Sequence, residues 1–340
     1  MMPQGRSRVE PGHGKARKAA DKPDRNRDSD EVAVEVVHTI EPSSNRSLCE
    51  SSFEHASGSI SHTLYNEQES NKESVGGESV SGILVISHGS RDPQWVSLVD
   101  EAVGKATAMI SNLTGPVPVI SSFLELVTGR LIQDGIDELL ALGVTDIYVL
   151  PLFVSSGSTH VDDIMQAFGQ PPVGEREGEL EAFYIEEACI HPGKPIDDEP
   201  EIAELLLRQV LEQSLHPAGE ALLLIGHGSV EPVFHERWQE GLGRMAERLR
   251  LGGGFARADY AMLLPDQAAA KLGELQRERP EERIIVVPVF LSQGYFTSTV
   301  IPGRLGEVDY EYVNRAMLPD EAVARWIARQ AKQWLDRSGG

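Results

Sequence analysis

The chain has 340 residues, 40% of them hydrophobic, a formal net charge of −22 and two cysteines. That length accommodates two domains with real cores, while the acidity argues against nucleic acid, whose phosphates need clustered Lys and Arg. Two cysteines cannot build a four-cysteine zinc or iron–sulfur site. Cys49 and Cys189 fall in different segments, so no disulfide framework is expected and the expected compartment is a reducing cytoplasm. No apolar run is long enough for a membrane span, and no apolar stretch follows the charged start as a signal peptide requires.

Residues 1–80 are basic and polar at first, then acidic and Ser-rich. Too few apolar residues occur there to offset the entropy of ordering, so a disordered tail is expected. The texture changes at Gly82. Gly82-Ile-Leu-Val-Ile-Ser87 is a short continuous apolar run, the mark of a strand buried on both faces. A helical pattern follows over Pro93–Ile110, then a second strand over Val117–Leu124. A helix over Thr128–Leu142 stops at Gly143. A third strand is expected over Asp146–Val154, a fourth over Leu180–Glu187, and a helix over Glu199–Leu215. Strands alternating with helices predict an α/β fold with a parallel sheet.

The pattern then restarts. Ala221-Leu-Leu-Leu-Ile-Gly-His-Gly-Ser229 repeats Gly82-Ile-Leu-Val-Ile-Ser-His-Gly-Ser90, placing His227 139 residues after His88. Ile284-Ile-Val-Val-Pro-Val-Phe-Leu-Ser-Gln-Gly294 repeats Ile147-Tyr-Val-Leu-Pro-Leu-Phe-Val-Ser-Ser-Gly157, with Pro288 137 residues after Pro151. Two matches in one order at nearly one spacing indicate a duplicated domain. A strand over Tyr310–Arg315 and a helix over Glu321–Leu335 close the second copy, and the boundary is expected near residues 215–219.

Three sites stand at strand ends. His88-Gly89-Ser90-Arg91 follows the first strand, Glu125 ends the second, and His160 follows the small-residue loop after the third. Taken singly, each has an ordinary reading: a strand cap, a helix-entry carboxylate, a surface histidine. Together they come from the carboxyl ends of consecutive parallel strands, the edge where such sheets bind ligands. Two histidines and a carboxylate form a donor set for zinc, cobalt, iron or nickel.

On these residues the sequence resembles the class II chelatases of the CbiX/SirB type, which insert cobalt or ferrous iron into sirohydrochlorin. The motifs are His88-Gly-Ser-Arg91, Phe123-Leu-Glu125, and Pro151-Leu-Phe-Val-Ser-Ser-Gly157 with Asp163-Ile164 downstream. The resemblance covers roughly residues 82–335 as a tandem. It implies two chelatase-like domains, each a parallel four-stranded sheet flanked by helices: a metal-site half at 81–216 and a degenerate repeat at 219–337. It also implies that His88 and His160 bind metal and accept pyrrole protons, with Glu125 assisting. The family's second histidine usually stands where Thr159 is here, with His160 next along. In the second half His227 remains, the counterpart of Glu125 falls at Met262–Leu264, and Gly294-Tyr-Phe-Thr-Ser-Thr contains no histidine.

The implied activity is that of a lyase of cobalamin or siroheme biosynthesis. Its partner is a sirohydrochlorin-like polycarboxylate tetrapyrrole, held by Arg91, Ser155, Ser156 and Tyr295, with Arg130 and Arg304 as further candidates. No permanent cofactor is implied: Co²⁺, Fe²⁺ or Ni²⁺ enters as substrate, and no glycine-rich nucleotide loop suggests ATP use. Two other readings remain open: a metal or tetrapyrrole carrier without turnover, and a phosphate-ester hydrolase or transferase using His88 or His227.

Overall fold

The computed structural model describes residues 79–338. The expectations for the tail and for Cys49 therefore lie outside the described residues. Among these, no helix is long and apolar enough to cross a membrane.

The first half runs β1 (Ser81–Ser87), α1 (Pro93–Thr114), β2 (Val119–Phe123), α2 (Ile132–Ala141), β3 (Asp146–Pro151), α3 (Thr159–Ala167), β4 (Cys189–Pro192) and α4 (Pro200–Leu211). The second runs β5 (Glu220–Gly228), α5 (Pro232–Gly253), β6 (Arg257–Leu264), α6 (Ala268–Glu278) and β7 (Arg283–Pro288). It closes with α7 (Ile301–Leu305), β8 (Glu311–Tyr312) and α8 (Glu321–Ser338). Both sheets are parallel and four-stranded, in the orders β2-β1-β3-β4 and β6-β5-β7-β8. The chain is thus a tandem of two α/β units with one topology.

Strand periodicity explains the continuous apolar runs. Along β1, Ile83 and Val85 face a central apolar layer, while Leu84 and Ile86 face an outer one with Ile136 and Leu139 of α2. Along β5, Leu222 and Leu224 face the same central layer, and Leu223 and Ile225 an outer layer with Leu272 and Leu275 of α6. Both faces of each strand are buried, so alternation by polarity disappears.

The central layer belongs to both halves, because their last helices are exchanged. Helix α8 packs along α1 and reaches β3, while α4 packs on α5 and reaches β7. Trp334 of α8 stacks on Tyr148 of β3 at 5.2 Å and 9°, and Arg329 of α8 donates to Glu201 of α4 at 2.6 Å.

Two expectations need correction. Leu180–Glu187 is not a strand; the fourth strand is Cys189–Pro192. Phe183 N–H donates to Ala167 O at the end of α3, and Leu180, Phe183 and Ile185 pack on the first half's outer layer. The segment's apolar spacing therefore reflects burial beside a helix rather than pairing in the sheet. The third strand ends at Pro151 rather than Val154, and His160, which follows the small-residue loop as expected, lies in the first turn of α3.

The seam between the halves is tight. A Cβ on Gly157 would lie 2.5 Å from Phe234 O and from Trp238 Cδ1, both on α5. Asp197 accepts from Ser156 N at 2.8 Å and Ser156 Oγ at 3.1 Å. Burial pushes the Asp197 carboxyl above its ordinary value, opposed by the bonds from Ser156 and Ser155 and by Arg244. The sign follows: the unfolded chain releases this proton first, so Asp197 subtracts stability as pH rises from the ordinary carboxylate value, about 3.9, through the raised folded one. Asp197→Asn keeps an amide oxygen for Ser156 and removes the charge. Its melting temperature relative to the native chain should rise as pH goes from below that value to neutrality; a pH series of thermal melts checks this.

Candidate active site

Strand β1 ends at Ser87, and the chain turns at Gly89, whose φ of 98° is open to glycine and costly for other residues. The turn sits against the end of β2: Leu124 N donates to Ser87 O at 2.8 Å and Glu125 N to His88 O at 3.1 Å. His88 Nδ1 then lies 3.3 Å from Gly89 O and 3.7 Å from Glu125 Oε1. The next residue, Leu126, holds φ at 68°, a strained value for a leucine, beside the Glu125 carboxylate.

His160 arrives from the third strand's side. Ser158 precedes α3 in extended conformation, so the helix places His160 in its first turn. The His160 ring meets the His88 ring edge-on, centroids 4.9 Å apart at 80°. Burial lowers the His160 pKa, the nearby His88 lowers it further, and Asp163 acts in opposition. A neutral imidazole at pH 7 offers a lone pair for a metal or a proton. His88, Glu125 and His160 are therefore neighbours at one sheet edge. Among the described residues no three of His, Cys, Asp and Glu converge closely enough to hold an ion as they stand. The side chains of His88 and Glu125 are 42% and 52% exposed, so neither is locked by packing.

The other candidates divide. Arg91 is exposed and lines, with Ser90, Leu126 and Thr128, an open depression of about 420 Å³ beside the triad. Ser155 and Ser156 are not brought to the triad. Ser155 is buried with its hydroxyl accepting from Gly157 N, and Ser156 is bound to Asp197 in the seam. Arg130 is engaged by Asp100 through two bonds at 2.9 and 2.6 Å. Arg304 donates to Leu263 O at 2.6 Å and faces Asp266. Tyr295, 70% exposed, belongs to the second half.

Sequence reasoning passed over Arg176. Its guanidinium bonds to the buried Asp163 of α3 and to Glu179, and its Nε lies 3.6 Å from Glu231, the residue capping α5. It thereby ties the helix carrying His160 to the second half. The only signal was an arginine between two glutamates, Glu175 and Glu177, which reads as a solvated charge run.

The second half repeats the first site's backbone and replaces its donors. Gly228 has φ 83° and abuts Leu264 O, as Gly89 abuts Glu125 O. Leu264 thus stands in the place of Glu125. His227 meets Phe296 edge-on at 5.0 Å and 80°, so Phe296 stands in the place of His160.

The sequence pattern described as CbiX matches twice, over residues 82–213 and 221–333, together more than half of the chain. The chain belongs to the CbiX family. A sirohydrochlorin cobaltochelatase of Methanocaldococcus jannaschii is 33% identical to this CbiX-family chain over 91 residues, which are 26% of this chain and 61% of that protein. The chain thus spans less than two thirds of that relative's length. SirB from Bacillus subtilis, solved with Fe³⁺, superposes with a TM-score of 0.56 at 19% identity, covering 75% of this chain and 95% of SirB. A multi-domain protein of Deinococcus radiodurans, described as structurally similar to chelatases, superposes with a TM-score of 0.50 at 18% identity, covering 74% of this chain and 55% of its own. At such identities these two likenesses speak for the fold.

Proposed function

We propose that this CbiX-family chain is a chelatase that inserts Co²⁺ or Fe²⁺ into a sirohydrochlorin-type tetrapyrrole. The observation that carries the reading is the adjacency of His88, Glu125 and His160 at the open edge of the first sheet. Two imidazoles and a carboxylate suit a borderline divalent ion and leave positions free for water or an incoming ring. The metal is a substrate here and must depart, which suits donors that adjoin without forming a closed shell.

The residues divide the work by their surroundings. His160, kept neutral by burial, lies edge-on to His88, and either imidazole can take a pyrrole proton near neutral pH. Glu125 sits beside His88 Nδ1 and orients or discharges that ring. Arg91, on the rim of the adjoining depression, offers a planar guanidinium to a peripheral carboxylate of the macrocycle.

The test is anaerobic metal insertion followed by absorbance, with sirohydrochlorin and Co²⁺ or Fe²⁺. His88→Ala and His160→Ala should each lower the catalysed rate by about 10²-fold or more, the range for losing a positioned acid–base group. A native chain that binds metal and macrocycle without accelerating insertion of either ion would instead be a carrier.

A further inference from the structure

The second half keeps the fold of a metal site and the chemistry of something else. The turn at Gly228 reproduces that at Gly89, and His227 Nδ1 contacts Gly228 O at 3.1 Å as His88 Nδ1 contacts Gly89 O at 3.3 Å. With Nδ1 engaged by the adjacent backbone, His227 has Nε2 available, unpaired with any of the described residues. Around it the polar donors are gone. Leu264 and Phe296 replace carboxylate and imidazole, and both are 38% exposed. Phe290 stacks beneath Phe296 at 5.9 Å and 18°, and Tyr295 meets Phe296 at 6.1 Å. One half-buried imidazole with a free Nε2 therefore opens onto a solvent-facing aromatic and aliphatic surface.

A bare divalent ion gains little there. A single neutral ligand cannot replace its water shell, and the triad positions supply no charge to offset desolvation. An ion already held in the plane of a tetrapyrrole has the opposite needs. Its in-plane positions are filled, it takes an axial nitrogen, and the flat ring around it gains from aromatic and aliphatic contact. We propose that His227, with Phe296, Tyr295 and Leu264, forms a second site that binds the metallated macrocycle through one axial imidazole. The first half would act on the free metal and free ring, and the second would hold the product. The class of macrocycle rests on the proposed chelatase function; the axial site rests on the second half's own residues.

The experiment uses the full chain with cobalt(II) uroporphyrin, prepared beforehand, and metal-free uroporphyrin as polycarboxylate probes. Electron paramagnetic resonance of the cobalt complex should show the splitting of a single axial nitrogen, and cobalt uroporphyrin should bind at least about tenfold tighter than the metal-free ring. His227→Ala and the bulkier His227→Gln should lose the splitting and the preference while still binding the metal-free ring. Phe296→Ala should weaken both forms alike. His88→Ala and His160→Ala should keep the splitting. Splitting that survives in both His227 variants, or vanishes in the His88 or His160 variant, overturns the proposal. The two readings separate cleanly: a native chain that binds neither ring overturns the macrocycle reading as well. One that catalyses insertion yet shows no splitting dependent on His227 overturns the second site alone.

Discussion

A chain ending at Asp320, without α8, should lose the fold of its first half while the second sheet survives. Helix α8 belongs by sequence to the second half but covers α1 and β3 of the first. Val323, Trp326, Ile327 and Trp334 are all at most 4% exposed. Their burial alone is worth on the order of 6–12 kcal/mol, at about 1.5–3 kcal/mol per side chain. That is comparable to the whole stability of an ordinary domain, about 5–15 kcal/mol. The truncation also strips the cover from Val99, Val103, Ala106 and Ile110 of α1 and removes the ring stacked on Tyr148. The second sheet keeps α4 and α5 on its inner side and α6 on its outer side. Hydrogen exchange resolved by peptide should show β1 and β3 unprotected and β5 and β7 protected. Equal protection of both sheets would mean that the exchanged helix contributes little.

Gly89→Ala should cost both stability and metal binding, whereas Gly228→Ala should cost stability and leave free-metal binding intact. Each glycine sits at positive φ, 98° and 83°, and an added Cβ would lie 2.0 Å from Glu125 O or 2.3 Å from Leu264 O. The obstacle in both cases is backbone, which cannot swing aside. Relief requires breaking the strand-end pairing, so a loss of about 3 kcal/mol or more is expected for each. At the first site that movement carries Glu125 away from His88; at the second it displaces a leucine. Thermal melts should therefore shift alike. Co²⁺ or Fe²⁺ titration well below the melting temperature should show weakened binding only for Gly89→Ala. Equal metal affinity in the two variants would remove Glu125 from the site.

The sequence was most readable where one residue type has one use. The repeats around His88 and His227, and around Pro151 and Pro288, announced two copies of one α/β unit, and the strand-end logic singled out His88, Glu125 and His160, which the structure places side by side. Reading failed where a pattern reports burial without naming the partner. Phe183 and Ile185 alternate like a strand, yet together with Leu180 they pack beside α3. The amphipathic stripe of α8 shows that one face is covered, and nothing in it says that the cover is the other half of the chain. Ser155 and Ser156 looked suited to lining a roomy cleft because they are small; they are small because Gly157 and its neighbours press against α5. Arg176 was passed over because an arginine among glutamates looks the same whether it is solvated or bridges Asp163 and Glu231.

The exchange of α4 and α8 has a further consequence for the link between the halves. Leu215, 82% exposed, lies on the short connection between α4 and β5. A protease cutting there would sever the polypeptide without separating the pieces, since each fragment supplies a helix that the other one's sheet requires. The nicked molecule would behave as a heterodimer held by mutual complementation. In mechanical terms the peptide link serves as a tether that raises the local concentration of two interlocked subunits.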